Sequence, residues 1–152
     1  MPSFDQRFAA FESSPPPELF GDPIWRLPAY RIALFLADVA QADAAELDRL
    51  GAPRHIAEQL LRSTDSIGAN LAEGYSRFSG RERARYYEIA LGSAREAREW
   101  YRRAIPWIGQ GECRERAQLL TRSIKILVYA VPRERNGESE ARMRKRRPSP
   151  GK

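Results

Sequence analysis

Apolar residues return at helical spacing in four long segments of the chain. In the first, Ala29, Ile32, Ala33, Phe35, Leu36 and Val39 make a face broad enough for a bundle interior. In the second, Ile56, Leu60, Ser63, Ile67, Asn70 or Leu71, and Gly74 follow steps of three and four. Tyr86, Ile89, Ser93, Ala97, Trp100, Ala104 and Trp107 carry the same rhythm through the third, and Leu120, Ile124, Leu127 and Val131 through the fourth. Breakers separate them. Asp43, Glu46, Asp48 and Gly51 close the first segment and Pro53 opens the second. Gly74 fits a left-handed stop, and Ser79-Gly80-Arg81-Glu82 fits a capping box that starts the third helix. Pro106 disturbs that helix at Ile105, Gly109 and Gly111 make a turn, and Pro132 ends the fourth. The pattern predicts helices near 27–47, 53–75, 80–105 and 112–132: an all-α, antiparallel up-down four-helix bundle spanning 24–132.

Two flanks lie outside this pattern. Residues 1–23 hold an aromatic stripe, Phe4, Phe8 and Phe11, on a short helix, followed by the stiff spacer Ser13-Ser14-Pro15-Pro16-Pro17. The stripe reads either as a flap folded on its own bundle, the favoured reading, or as a peptide that docks a partner. Residues 133–152 lack apolar periodicity and read as a disordered basic tail.

Composition narrows the function classes. A chain of 152 residues suits one domain. No apolar run reaches the ~18–20 residues of a membrane span, and Asp5, Arg7 and Glu12 interrupt any secretory core, so a cytoplasmic protein without membrane contact is expected. One cysteine, Cys113, excludes an internal disulfide; with His55 as its only soft companion, no zinc spacing exists. There is no Gly-rich phosphate loop and no nucleophile–base pair, so neither enzyme nor cofactor is expected. The net charge of +6 is unevenly spread. Residues 77–103 hold eight Arg against four Glu, and residues 133–152 eight Lys and Arg against three Glu.

Small and polar groups mark the two facing stripes around the central corner: Ser63, Gly68, Asn70 and Gly74 on one, Gly92, Ser93 and Glu96 on the other. They read as a polar network that fixes helix register or, less favoured, as a carboxylate site on Glu73 or Glu96. Asn70-Leu71-Ala72-Glu73-Gly74, then Arg77, Ser79 and Glu82, then Ile89-Ala90-Leu91-Gly92-Ser93 and Glu96 resemble the signature of the small four-helix-bundle proteins also called 23S rRNA intervening-sequence proteins. That family includes the accessory variability proteins that accompany reverse transcriptases in diversity-generating retroelements. The resemblance covers about residues 24–132. Leu71 stands where Ile is usual, and Tyr86-Tyr87 where Phe-Leu is common, both keeping apolar bulk. It implies a non-enzymatic bundle that assembles as a homopentamer, with a reverse transcriptase among the candidate partners.

A helical wheel on the third helix assigns Tyr86, Ile89, Ser93, Glu96, Trp100 and Trp107 to the core. Arg77, Arg81, Arg85, Arg95, Arg102 and Arg103 fall on another face, and Tyr87, Leu91, Ala94 and Arg98 on a third, expected to meet a neighbouring subunit. The arginine face, with Arg144, Lys145, Arg146 and Arg147 of the tail, is the candidate nucleic-acid surface, because the planar guanidinium fork suits phosphate oxygens. No base-reading motif is visible, so backbone recognition is expected. The alternative is a protein-interaction scaffold without nucleic acid, on which the arginines are a solvated face.

Overall fold

The computed structural model describes residues 1–146, with side chains through Gly137. A short helix α1 (Phe4–Glu12) leads through two single 3-10 turns, Pro17–Leu19 and Pro23–Arg26, into four long helices: α2 (Pro28–Arg49), α3 (Arg54–Tyr75), α4 (Gly80–Ile108) and α5 (Gln110–Arg146). No strand occurs among the described residues. Consecutive long helices pack side by side, and α2 meets α5 to close the ring. The short connections make neighbours antiparallel, as the periodicity predicts.

The interior is aliphatic on three helices and nearly all alanine on the fourth. Leu36, Leu47, Leu60, Ile67, Leu71, Leu120 and Leu127 have at most 1% of their surface exposed. Each such burial contributes roughly 1.5–3 kcal/mol before entropic costs. Helix α4, packed between α3 and α5, contributes Ala84, Ala90, Ala94, Ala97 and Ala104, together with Tyr87 and Tyr101. Small side chains here let both neighbouring backbones come close. The core face of α4 is therefore turned by about 100° from the one the bulky residues suggested. Ile89 and Glu96 are exposed, while Tyr86, Trp100 and Trp107 are half-buried; of that expected face only Ser93 is buried.

Both prolines sit inside helices rather than at their ends. Pro106 lies in α4 and Pro132 in α5. A helical proline frees the carbonyl four residues earlier; here those belong to Arg102 and Val128, both exposed, so water can satisfy them. Beyond Pro132, α5 is held to α4 by Arg83 Nε–Glu134 Oε2 at 2.7 Å and Arg135 Nη2–Glu88 Oε1 at 2.7 Å. Helix α5 thus continues past the expected boundary at 132, and Glu134 and Arg135 belong to the bundle rather than to the tail; Arg147 lies outside the described residues, as do the side chains of Arg144, Lys145 and Arg146. The joint between α4 and α5 is one residue, Gly109, at φ 103°, where a side chain would be strained.

The arm α1 folds onto its own bundle. Ser3 and Gln6 form a complete capping box, with Ser3 Oγ accepting from the Gln6 amide at 3.2 Å and the Ser3 amide donating to Gln6 Oε1 at 2.9 Å. Phe4 and Phe8 are buried against Phe35 of α2, ring centroids 5.4 and 5.2 Å away, and Phe11 stacks beside Trp25.

Gly74 is no left-handed stop. It lies within α3, buried, and a Cβ there would stand 2.8 Å from Tyr86 Cβ and 3.0 Å from the Tyr87 ring. Gly92 is the reverse case: nothing lies within 4 Å of a Cβ at that position. We expect Gly74→Ala to destabilise by about 1–3 kcal/mol through overpacking. Gly92→Ala should stabilise by about 0.5–1 kcal/mol through helix propensity. Urea midpoints of the two variants check this, and shifts of the same sign would refute it.

Candidate nucleic-acid interface

The corner between α3 and α4 sets the register of the basic face. Ser79 caps α4, its Oγ accepting from the Glu82 amide at 3.3 Å. Gly80 lies so close to α5 that a Cβ would collide with the Glu134 carbonyl. Arg83 ties the corner together, donating through Nη1 to the carbonyls of Arg77 (2.9 Å) and Phe78 (3.1 Å). Farther along, a chain of hydrogen bonds joins α3 to α4. Asn70 Nδ2 donates to Ser66 Oγ at 3.1 Å, Ser66 and Ser93 hydroxyls lie 2.8 Å apart, and Ser93 Oγ donates to the Ile89 carbonyl at 3.0 Å. Ser93 has one proton, spent on Ile89, so Ser66 is the donor to Ser93. Ser66, which the sequence reading does not include, bridges Asn70 and Ser93 in this chain. Glu73, Glu82, Gly92 and Glu96 point to solvent. Glu73 pairs with Arg77, and Glu96 accepts weakly from Trp100 Nε1 at 3.4 Å.

From this anchored start, Arg81, Arg85, Arg95, Arg102 and Arg103 emerge on the outer side of α4, all exposed. Glu88, Glu96 and Glu99 are the carboxylates on the same side, three against five arginines. Glu99 serves two arginines, Arg102 at 2.6 Å and Arg103 at 3.5 Å, and these hold its carboxyl below the ordinary range, Arg102's hydrogen bond contributing most. Glu88 is taken by Arg135 of α5. Positive charge therefore exceeds negative over the stripe taken as a whole. Arg77 does not belong to it: it is half-buried at the corner, bonded to Glu73 and to Tyr86 Oη at 3.2 Å, with its guanidinium 5.2 Å from the Tyr86 ring centroid.

The strip expected at a subunit interface dissolves. Tyr87 is 3% exposed and Ala94 fully buried within one chain, Leu91 is half-buried against the core, and Arg98 is half-buried with Nη1 on Thr121 Oγ1 of α5 at 3.1 Å. Tyr87 lies against Gly74 of α3 and Arg98 against α5, neighbours that the wheel of a single helix cannot register.

One polar cluster went unread in the sequence. Asp43 of α2, Tyr101 of α4 and Arg116 of α5 meet inside the bundle. Arg116 reaches Asp43 with Nε at 3.0 Å and Nη2 at 3.1 Å, and Tyr101 Oη donates to Asp43 Oδ2 at 2.9 Å. The Phe4 ring lies 5.0 Å from the Arg116 guanidinium, so α1 helps close the cluster. Burial pushes the Tyr101 hydroxyl well above its ordinary value, with the Asp43 charge adding to it. Burial likewise lifts the adjacent Cys113 thiol to about 11 and the Tyr87 hydroxyl to about 12. All three groups are protonated near neutrality, so Cys113 offers no thiolate nucleophile there. Their folded pKa values lie above the unfolded ones, so this stability is complete below the unfolded pKa and drains away as pH rises. For Cys113 the window opens at 9.0 and extends to about 11; for Tyr87 it runs from 10.0 to about 12. Urea midpoints should hold steady up to about pH 9 and then fall; a midpoint unchanged to about pH 11 would contradict this.

Among the described residues no cluster of His, Cys, Asp or Glu could hold a metal ion, and no helix is long and apolar enough to cross a membrane. A comparison with curated proteins gives no match. A solved structure of a protein with unknown function from the S23 ribosomal protein family of Bacteroides thetaiotaomicron VPI-5482 is similar, at 24% identity and a TM-score of 0.64, covering 68% of this chain and 97% of that one. That likeness concerns the fold. The family model described as 23S rRNA-intervening sequence protein matches residues 46–128, from the end of α2 to the middle of α5. With more than half of its length matched, and with the helical corner of that signature in place, the chain belongs to the 23S rRNA-intervening sequence protein family.

Proposed function

We propose that this protein is a non-enzymatic, homo-oligomeric bundle that binds nucleic acid along its phosphate backbone through the outer face of α4. The observation that carries the reading is the row Arg81, Arg85, Arg95, Arg102 and Arg103, exposed on one rigid helix and too many for the carboxylates beside them. Cations fixed on a helix hold a strand in one orientation. Assembly into an oligomer, a pentamer by the resemblance, would repeat the row and multiply its phosphate contacts. Service to a reverse transcriptase is the finer form of the same reading and rests on the resemblance alone. The competing docking-peptide reading of the arm has lost its surface, since Phe4 and Phe8 are spent on the chain's own Phe35.

The test is fluorescence anisotropy with labelled RNA and DNA of unrelated sequences at low and raised salt. Binding that tolerates sequence and weakens steeply with salt is expected. Failure to bind either nucleic acid at low salt would overturn the proposal.

A further inference from the structure

Between α4 and α5, at the far end of the arginine row, lies a surface pocket of about 400 Å³. That size falls in the range of about 300–1,000 Å³ typical of small-ligand sites. Four arginines rim it, Arg95, Arg98 and Arg102 from α4 and Arg114 from α5, against the single carboxylate of Glu99. Its floor is apolar: Ile105, the buried Cys113 and Ala117. The rim is partly pre-set. Arg98 is oriented by Thr121 Oγ1, which itself donates to the Ala117 carbonyl at 2.8 Å, and Arg102 is gripped by Glu99 through Nε and Nη2. Arg95 and Arg114 are exposed and have no ion pair among the described residues.

A surface that reads only phosphates needs cations and nothing beneath them. An apolar floor under planar guanidinium groups suits something flat and apolar that carries phosphate. Arginine planes stack on nucleobases while their edges donate to phosphate oxygens. We propose that this pocket receives one unstacked base of a bound single strand, with the flanking phosphates on the arginine rim. This rests on the nucleic-acid reading above and adds to it a place where the strand is gripped by a base.

The test uses the full chain and two labelled single strands of equal length, one normal and one abasic, so that phosphates match and only bases differ. A variant, Ala117→Leu, fills the floor without touching a charge; Ala117 is half-exposed, so the helix should accept it. The unaltered protein should bind the normal strand about 5- to 150-fold more tightly than the abasic one, the gain that stacking one base provides. Ala117→Leu should bring the normal strand down to the abasic level while leaving the abasic affinity unchanged. Equal affinity of the unaltered protein for both strands would overturn the pocket and leave the phosphate reading standing. So would a preference that survives Ala117→Leu. Binding of neither strand at low salt would instead overturn the nucleic-acid reading itself. If Ala117→Leu fails to fold, Ile105→Trp fills the same floor from α4 without touching a charge and serves in its place, and equal affinity of the unaltered protein for both strands overturns the pocket in either case.

Discussion

Replacing Arg116 with Met should cost the fold about 3–5 kcal/mol, a large part of the roughly 5–15 kcal/mol that holds an ordinary domain together. The reason is what it leaves behind. Asp43 is 7% exposed and receives two of its three hydrogen bonds from the Arg116 guanidinium, at 3.0 and 3.1 Å. Without them its carboxylate keeps Tyr101 Oη alone, in surroundings that cannot solvate a charge. The loss also reaches the arm, because the guanidinium that Phe4 covers is gone. Removing the whole cluster is a different matter. Asp43→Leu, Tyr101→Phe and Arg116→Met together leave no orphaned charge or hydroxyl, and apolar replacement of a buried ion pair is often neutral. The triple variant should therefore regain most of what the single one loses in urea unfolding. A triple variant as unstable as Arg116→Met would show that the loss comes from packing rather than from an uncompensated charge.

Much of the fold could be read from periodicity and breakers, because bundle helices declare themselves through local spacing. The boundaries of α2 and α3 follow from Leu27-Pro28 and Pro53, and the start of α4 from its Ser79 cap. What escaped was set by neighbours. The inner face of α4 was misplaced because Tyr86, Trp100 and Trp107 outweigh alanine on any hydrophobic wheel, while two close-packed neighbours select alanine. That error put Tyr87 and Ala94 at a subunit boundary when they belong to the chain's own interior. Pro106 and Pro132 looked like terminators because the rule assumes the freed carbonyl cannot be satisfied; on an exposed side it can. The Asp43–Tyr101–Arg116 cluster brings together residues 58 and 73 positions apart, each of a type that usually reads as surface. A faint signal existed. Asp43 falls four residues after Val39 and four before Leu47 on the apolar face of α2, and Arg116 falls four before Leu120 on that of α5.

The exposed arginine row, by contrast, was legible because charge on a solvent face depends on little beyond the helix carrying it. Its contribution can be separated from that of the C-terminal segment with charge matched. Residues 138–152 hold six Lys and Arg against two Glu, a net of four positive charges. Removing them spares Glu134 and Arg135, which pin α5 to α4. Changing Arg81, Arg85, Arg95 and Arg102 to Gln also removes four positive charges, now from the fixed row. The most direct measurement is the slope of log affinity against log salt for the unaltered protein and these two variants, with a labelled single strand and each protein confirmed to be helical and assembled. Each phosphate neutralised contributes about −0.7 to that slope on a single strand. The Gln variant should lose most of the affinity and flatten the slope by up to about 3, while the truncated protein binds only modestly less well. A slope unchanged by the four Gln substitutions, with binding lost on truncation instead, would contradict the assignment of the site to α4.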